Sequence, residues 1–141
     1  MSSLRERLRA LGRELGAREA EHKGALEEAR RKAVSVRAAV VEALDGWREA
    51  VTAAGAPQLA VQVGEVRPDD KHVRAVEFDL TRGRHRAVIT VKSRGDVTLV
   101  GPFHAGKIEG PCKSFPFAAQ DELEKALGDF LERFLAEAAT P

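Results

Sequence analysis

Residues 75–100 read AVEFDLTRGRHRAVITVKSRGDVTLV, three runs of alternating apolar and polar residues separated by RG and SRG. Alternation of period two between glycine-containing turns marks antiparallel strands joined by tight hairpins. A two-residue turn at Arg82 and Gly83 predicts Phe78 opposite Ala87 and Val76 opposite Ile89, with Asp79 opposite Arg86 on the other face. A three-residue turn, Ser93-Arg94-Gly95, with Gly95 left-handed, predicts Val91 opposite Val97 and Ile89 opposite Leu99. Upstream, Leu59, Val61 and Val63 supply a fourth strand to the same apolar face, after a longer turn around Pro68-Asp69-Asp70. The other face carries Ala60, Ala75, Val88 and Val100 among Gln62, Glu77, Asp79, Arg86, Thr90 and Lys92, so it is half polar. Partial cover of that second face by a long helix or a second subunit is expected.

Residues 118–138 place Leu123, Leu127, Phe130, Leu131 and Phe134 on one stripe at helical spacing. Such a helix is the natural cover for the apolar side of the sheet, which gives an α+β fold with the C-terminal helix packed on one sheet face. At the other end, Leu4, Leu8, Leu11 and Leu15 recur at spacings of four and three, and the stripe resumes with Leu26, Ala29, Ala33, Val36, Val40, Leu44, Trp47 and Val51. Between them Arg18, Glu19 and His22 interrupt it, and Gly12, Gly16 and Gly24 lie nearby, each costing about 1 kcal/mol against Ala in a helix interior. Two forms fit: one helix of roughly 75 Å, or a helical hairpin bent near residues 16–24. In either form the first leucines need a partner, a second chain in a coiled coil or the chain's own second helix. Gly55, Ala56 and Pro57 end the segment. The chain thus divides into a helical arm, 1–57, expected to drive oligomerisation, and an α+β domain, 58–141. Trp47, on the stripe, is expected in a core or subunit contact rather than as a ligand platform.

With 141 residues the chain is long enough for one core. Its 23 basic and 22 acidic residues nearly cancel, so no global field draws it to nucleic acid or membrane. The start, MSSLRERLRALGREL, is too charged for a signal peptide, and no run of apolar residues is long enough to span a bilayer. A cytoplasmic protein is expected. Cys112 is the lone cysteine, so it cannot form an intramolecular disulfide and lacks the thiol partners of a structural zinc site, and no metal or cofactor is expected.

The segment 101–117, GPFHAGKIEGPCKSFPF, holds three of six Phe and three of six Pro. It reads as a structured loop anchored by Phe103, Phe115 and Phe117, and long loops in compact domains are usually functional. Phe103, His104, Lys107, Glu109, Cys112 and Lys113 are its partner-binding candidates. Gly101 to Ile108 fits the GxxxxGK half of a phosphate-binding loop. Ile108 stands where the magnesium-binding hydroxyl belongs, however, and Glu109-Gly110-Pro111 blocks the helix that should face the phosphates. Arg94-Gly95-Asp96 spells an integrin-binding tripeptide, but as a hairpin turn it has a structural explanation. His104, Cys112 and Glu109 would suit thiol chemistry, yet no third residue orients them. Basic residues cluster at Arg82, Arg84 and Arg86, at Lys92 and Arg94, and at Arg30, Arg31 and Lys32. Such clusters can follow a phosphate backbone, and they equally solubilise sheet edges.

The order of helix, four-stranded meander and helix resembles RWD-type interaction domains and nucleoid-associated tweezer-like dimers, a likeness of arrangement alone. The reading that follows is a non-enzymatic interaction or adaptor module, a homodimer through its N-terminal helix, presenting the 101–117 loop to an unknown protein partner. The alternative is a dimeric nucleic-acid-binding protein using the basic hairpins and Arg30 to Lys32. A small thiol-dependent enzyme around His104 and Cys112 comes third.

Overall fold

The computed structural model describes residues 2–69, 74–104, 106 and 110–140. Lys107 and Glu109 of the candidate set, with Asp70 and Ile108, lie outside the described residues. The chain is α+β: a long helix α1 (Ser2–Ala53), a 3-10 turn (Pro57–Leu59), strands β1 (Gln62–Val63), β2 (Arg67–Pro68), β3 (Ala75–Arg82), β4 (His85–Lys92), β5 (Asp96–His104) and β6 (Cys112–Pro116), then helix α2 (Gln120–Ala138). The sheet is antiparallel in the order β1-β3-β4-β5-β6, with β2 also paired to β3.

Of the two forms open to the N-terminal segment, the structure has the single helix, about 78 Å long at 1.5 Å per residue. The glycines do not break it, because they lie among Ala, Leu, Arg and Glu, strong helix formers with no proline between them. Glu14 and Arg18 pair at 2.8 Å across Gly16.

The second hairpin has the expected register, Val91 opposite Val97 and Ile89 opposite Leu99, with Gly95 at φ +98°. The first differs by two residues. Gly83, at φ +58°, opens the turn rather than closing it, so Phe78 faces Ile89, Leu80 faces Ala87 and Asp79 faces Val88. A slip of two preserves which face each side chain occupies, so the apolar side survives unchanged.

Among the described residues the sheet has six strands rather than four. The expected first strand divides into β1 and β2, because the pairing with β3 shifts by one residue between Val63, opposite Leu80, and Arg67, opposite Glu77; at Gly64, just past β1, a Cβ would overlap the Asp79 carboxylate oxygen. Arg37 of α1 ties this segment to the helix, donating from Nε to the Gly64 carbonyl at 2.8 Å. Leu59 lies in the 3-10 turn, and its carbonyl accepts the Trp47 indole N–H at 2.8 Å. The expected loop 101–117 is largely strand: β5 continues to His104 through a β-bulge, and β6 pairs back onto β5 with Val97 opposite Phe115.

Both helices pack on the same side of the sheet. Ala29, Ala33, Val36, Val40 and Leu44 of α1 and Leu123, Phe130, Leu131 and Phe134 of α2 share one core with Val76, Phe78, Leu80, Ala87, Ile89, Val91, Val97 and Leu99. Cover of the half-polar face by α1 is therefore not what the structure shows. Five strands side by side span about 24 Å, roughly twice the width of one helix, so the apolar face takes two. Both helices run from the 93–95 turn toward the 83–84 turn. Lys32 lies beside Gly95 near the start of this contact, and Arg82 bonds the Ala138 carbonyl at its end.

Candidate functional site

Strand β6 ends the sheet, and its backbone polarity follows from two bonds. The Phe117 N–H donates to the Gly95 carbonyl at 3.0 Å, and the Gly101 N–H donates to the Pro111 carbonyl at 2.7 Å. Residues 111, 113, 115 and 117 therefore turn their backbone groups toward β5, and Cys112, Ser114 and Pro116 turn theirs outward. Among the described residues no strand pairs with this outer edge. The outward row offers N–H and C=O from Cys112 and Ser114 and a carbonyl from Pro116, which lacks an N–H. An edge of this kind can take an added strand.

On the helix side of the edge, a groove of about 370 Å³ separates β5 and β6 from α2. Its floor is apolar, with Leu99, Phe115, Ala126 and Phe130, and its rim carries Lys113, Glu122, Lys125, Asp129 and Arg133. Chemically this is a slot for an apolar side chain with both signs of charge at its mouth, next to unpaired main-chain groups. Cys112 and Lys113 of the candidate set border it, and both are exposed. Sequence reading passed over the rim residues of α2, which stand beside the apolar stripe. Lys125, Asp129 and Arg133 recur every four residues, the signal that they share one helix face.

The other candidates are dispersed. Phe103 is buried outside the main core, against Gly101 and Gly110, while Phe115 and Phe117 are half-buried against the core. His104 is exposed and stacks edge-on with His85 at 4.9 Å between ring centroids. Cys112 faces Val100, four residues before His104 along β5, which sets thiol and imidazole about 13 Å apart. At that separation the His104 imidazole does not reach the Cys112 thiol, and Glu109, named with them, lies outside the described residues. Among the described residues no three His, Cys, Asp or Glu side chains cluster to hold a metal, and no helix is long and apolar enough to cross a membrane.

The basic residues divide between the two ends of the sheet. Arg82, Arg84 and Arg86 mark the 83–84 turn, while Lys92, Arg94 and Lys32 mark the 93–95 turn, about 23 Å away along β4. Several are engaged within the chain. Arg82 donates to the Gln58 and Ala138 carbonyls, Arg86 pairs with Asp79 at 3.1 Å, Arg94 with Asp96 at 2.6 Å, and Arg31 with Glu28 at 2.6 Å. Lys32 lies over the Phe117 ring at 5.4 Å. Arg30 is exposed at a smaller hollow between α1 and β2.

The half-polar face is organised around Arg67, Glu77, Asp79 and Arg86. Arg67 spans both acids, at 3.1 Å to Glu77 and 3.3 Å to Asp79. Burial, helped by the nearby Asp69 charge, pushes the Glu77 carboxyl above its ordinary value against the opposing pull of Arg67 and Arg86. Arg67 and Arg86 set two cations against Glu77 and Asp79, a means of carrying charge on a half-covered surface.

Comparison of the chain with protein-family models, with curated proteins and with solved structures finds no match.

Proposed function

We propose that this chain is a non-enzymatic protein-interaction module that self-associates through the first turns of α1 and presents the β5–β6 region to a protein partner. The observation that carries the reading is the exposed stripe on α1. Residues 3–21 are exposed throughout, and Leu4, Leu8, Leu11 and Leu15 keep 45–59% of their surface in water. A leucine stripe extended beyond the body of the domain has burial to gain from a second helix. The outer edge of β6 and the adjoining groove support the second half of the reading, because main-chain donors and an apolar slot together suit an extended peptide.

Multi-angle light scattering on the full chain and on a Leu8→Glu/Leu11→Glu variant tests self-association, and capture of partners by the same proteins with and without Lys113→Glu tests the surface. A dimer that the leucine substitutions convert to monomer is the expected result, together with capture that falls when Lys113 is reversed. A monomeric full chain at high micromolar concentration refutes the first half. Capture indifferent to Lys113 refutes the second.

A further inference from the structure

Resting on the self-association just proposed, we infer that the occupant of the α1 stripe is the same stripe of a second copy in antiparallel orientation, overlapping tip to tip so that the two α+β bodies stand at opposite ends. The heptad pattern places Leu8 and Leu15 at a, Leu4 and Leu11 at d, and Arg7 and Glu14 at g. Leucine packing alone does not select an orientation, since parallel and antiparallel pairs both stack four leucine layers. The flanking charges do. In a parallel pair each g residue faces the e residue five positions on in its partner. Glu14 would then oppose Glu19 of the second copy, twice, and Arg7 would oppose Gly12. In the antiparallel pair, Leu4 meets Leu15 and Leu8 meets Leu11 across the axis, and g residues face one another. Arg7 of each copy then meets Glu14 of the other, two attractive pairs and no like-charge contact at g.

Two further features favour this register. Sliding the antiparallel pair by one heptad, toward the body, would set Leu4 against His22 and Leu8 against Arg18, whereas the tip-to-tip overlap pairs all four leucines of each copy with leucines of the other. Among the described residues Glu14 pairs with Arg18, a weak surface contact that leaves the carboxylate available. The centre of symmetry falls between residues 9 and 10. Ala29, the first buried residue of α1, then lies about 60 Å from its counterpart, whereas a parallel pair would set the two bodies side by side.

The test is a charge-reversal series on the full chain, with dimer dissociation measured by sedimentation equilibrium and body separation by small-angle scattering. Antiparallel pairing predicts that Arg7→Glu and Glu14→Arg each weaken the dimer by on the order of tenfold, and that the double variant recovers most of the loss. Scattering should show two lobes about 60 Å apart or more. A parallel dimer gives the opposite pattern: Glu14→Arg tightens it by relieving the Glu14–Glu19 contact, Arg7→Glu does nothing, and the lobes merge. That result, or a dimer indifferent to all three variants, overturns the orientation and leaves self-association standing. A wild-type chain that stays monomeric overturns both.

Discussion

Phe134→Ala removes a ring with no exposure at all, held between α2 and the centre of the sheet. The vacated space is closed on every side, so the loss combines the transfer term with a cavity term, about 4 kcal/mol for a buried Phe. Phe130, four residues earlier, is 9% exposed and forms part of the groove floor beside β6. Space left by its truncation merges with that groove and fills with water, so the transfer term dominates and the loss falls to about 2–3 kcal/mol. For 141 residues the unfolding entropy is about 0.3 kcal/mol/K, so the larger loss lowers Tm by about 13 °C. Trp47, the sole tryptophan, bonds the Leu59 carbonyl and reports unfolding by fluorescence in urea melts at fixed protein concentration. A Phe134→Ala loss below about 0.5 kcal/mol would mean that α2 does not cover the sheet, and a Phe130→Ala loss equal to that of Phe134→Ala would mean that the groove is closed.

Gly64→Ala should destabilise by about 1 kcal/mol or more in the wild type, because the added methyl group displaces the Asp79 carboxylate from Arg67 and Arg86. In an Asp79→Ala background the same change should cost little, and a double-mutant cycle with no coupling would refute the close approach. Glu77 supplies a pH signature. Since its folded value lies above the unfolded one, its contribution is fully present below the unfolded value and is lost as pH rises through the folded value. Glu77→Gln should remove that decline from denaturant melts taken across the acidic range, and an unchanged pH profile would show that Glu77 is not the group responsible.

What could be read along the chain was whatever depends on near neighbours. Alternation in residues 75–100 and glycine at both turns suffice for the meander, and helical spacing of Leu123, Phe130 and Phe134 suffices for α2. Even the misplaced first turn did little harm, since a two-residue slip keeps Phe78 and Ile89 on the apolar face. The leucine stripe of α1 was equally plain, because a helix needs no distant residue to define its faces. Tertiary structure decided the rest. Gly101, Pro102, Gly110, Pro111 and Pro116 make residues 101–117 look like loop, and the strand character of β6 comes from the ladder it finds on β5. The need for glycine at position 64 comes from Asp79, a neighbour only once β1 and β3 have paired. The common face of α1 and α2 was likewise hidden. An amphipathic stripe says that a helix must bury one side, but which surface receives it depends on the width of a sheet that exists only after strands far apart in the chain have come together.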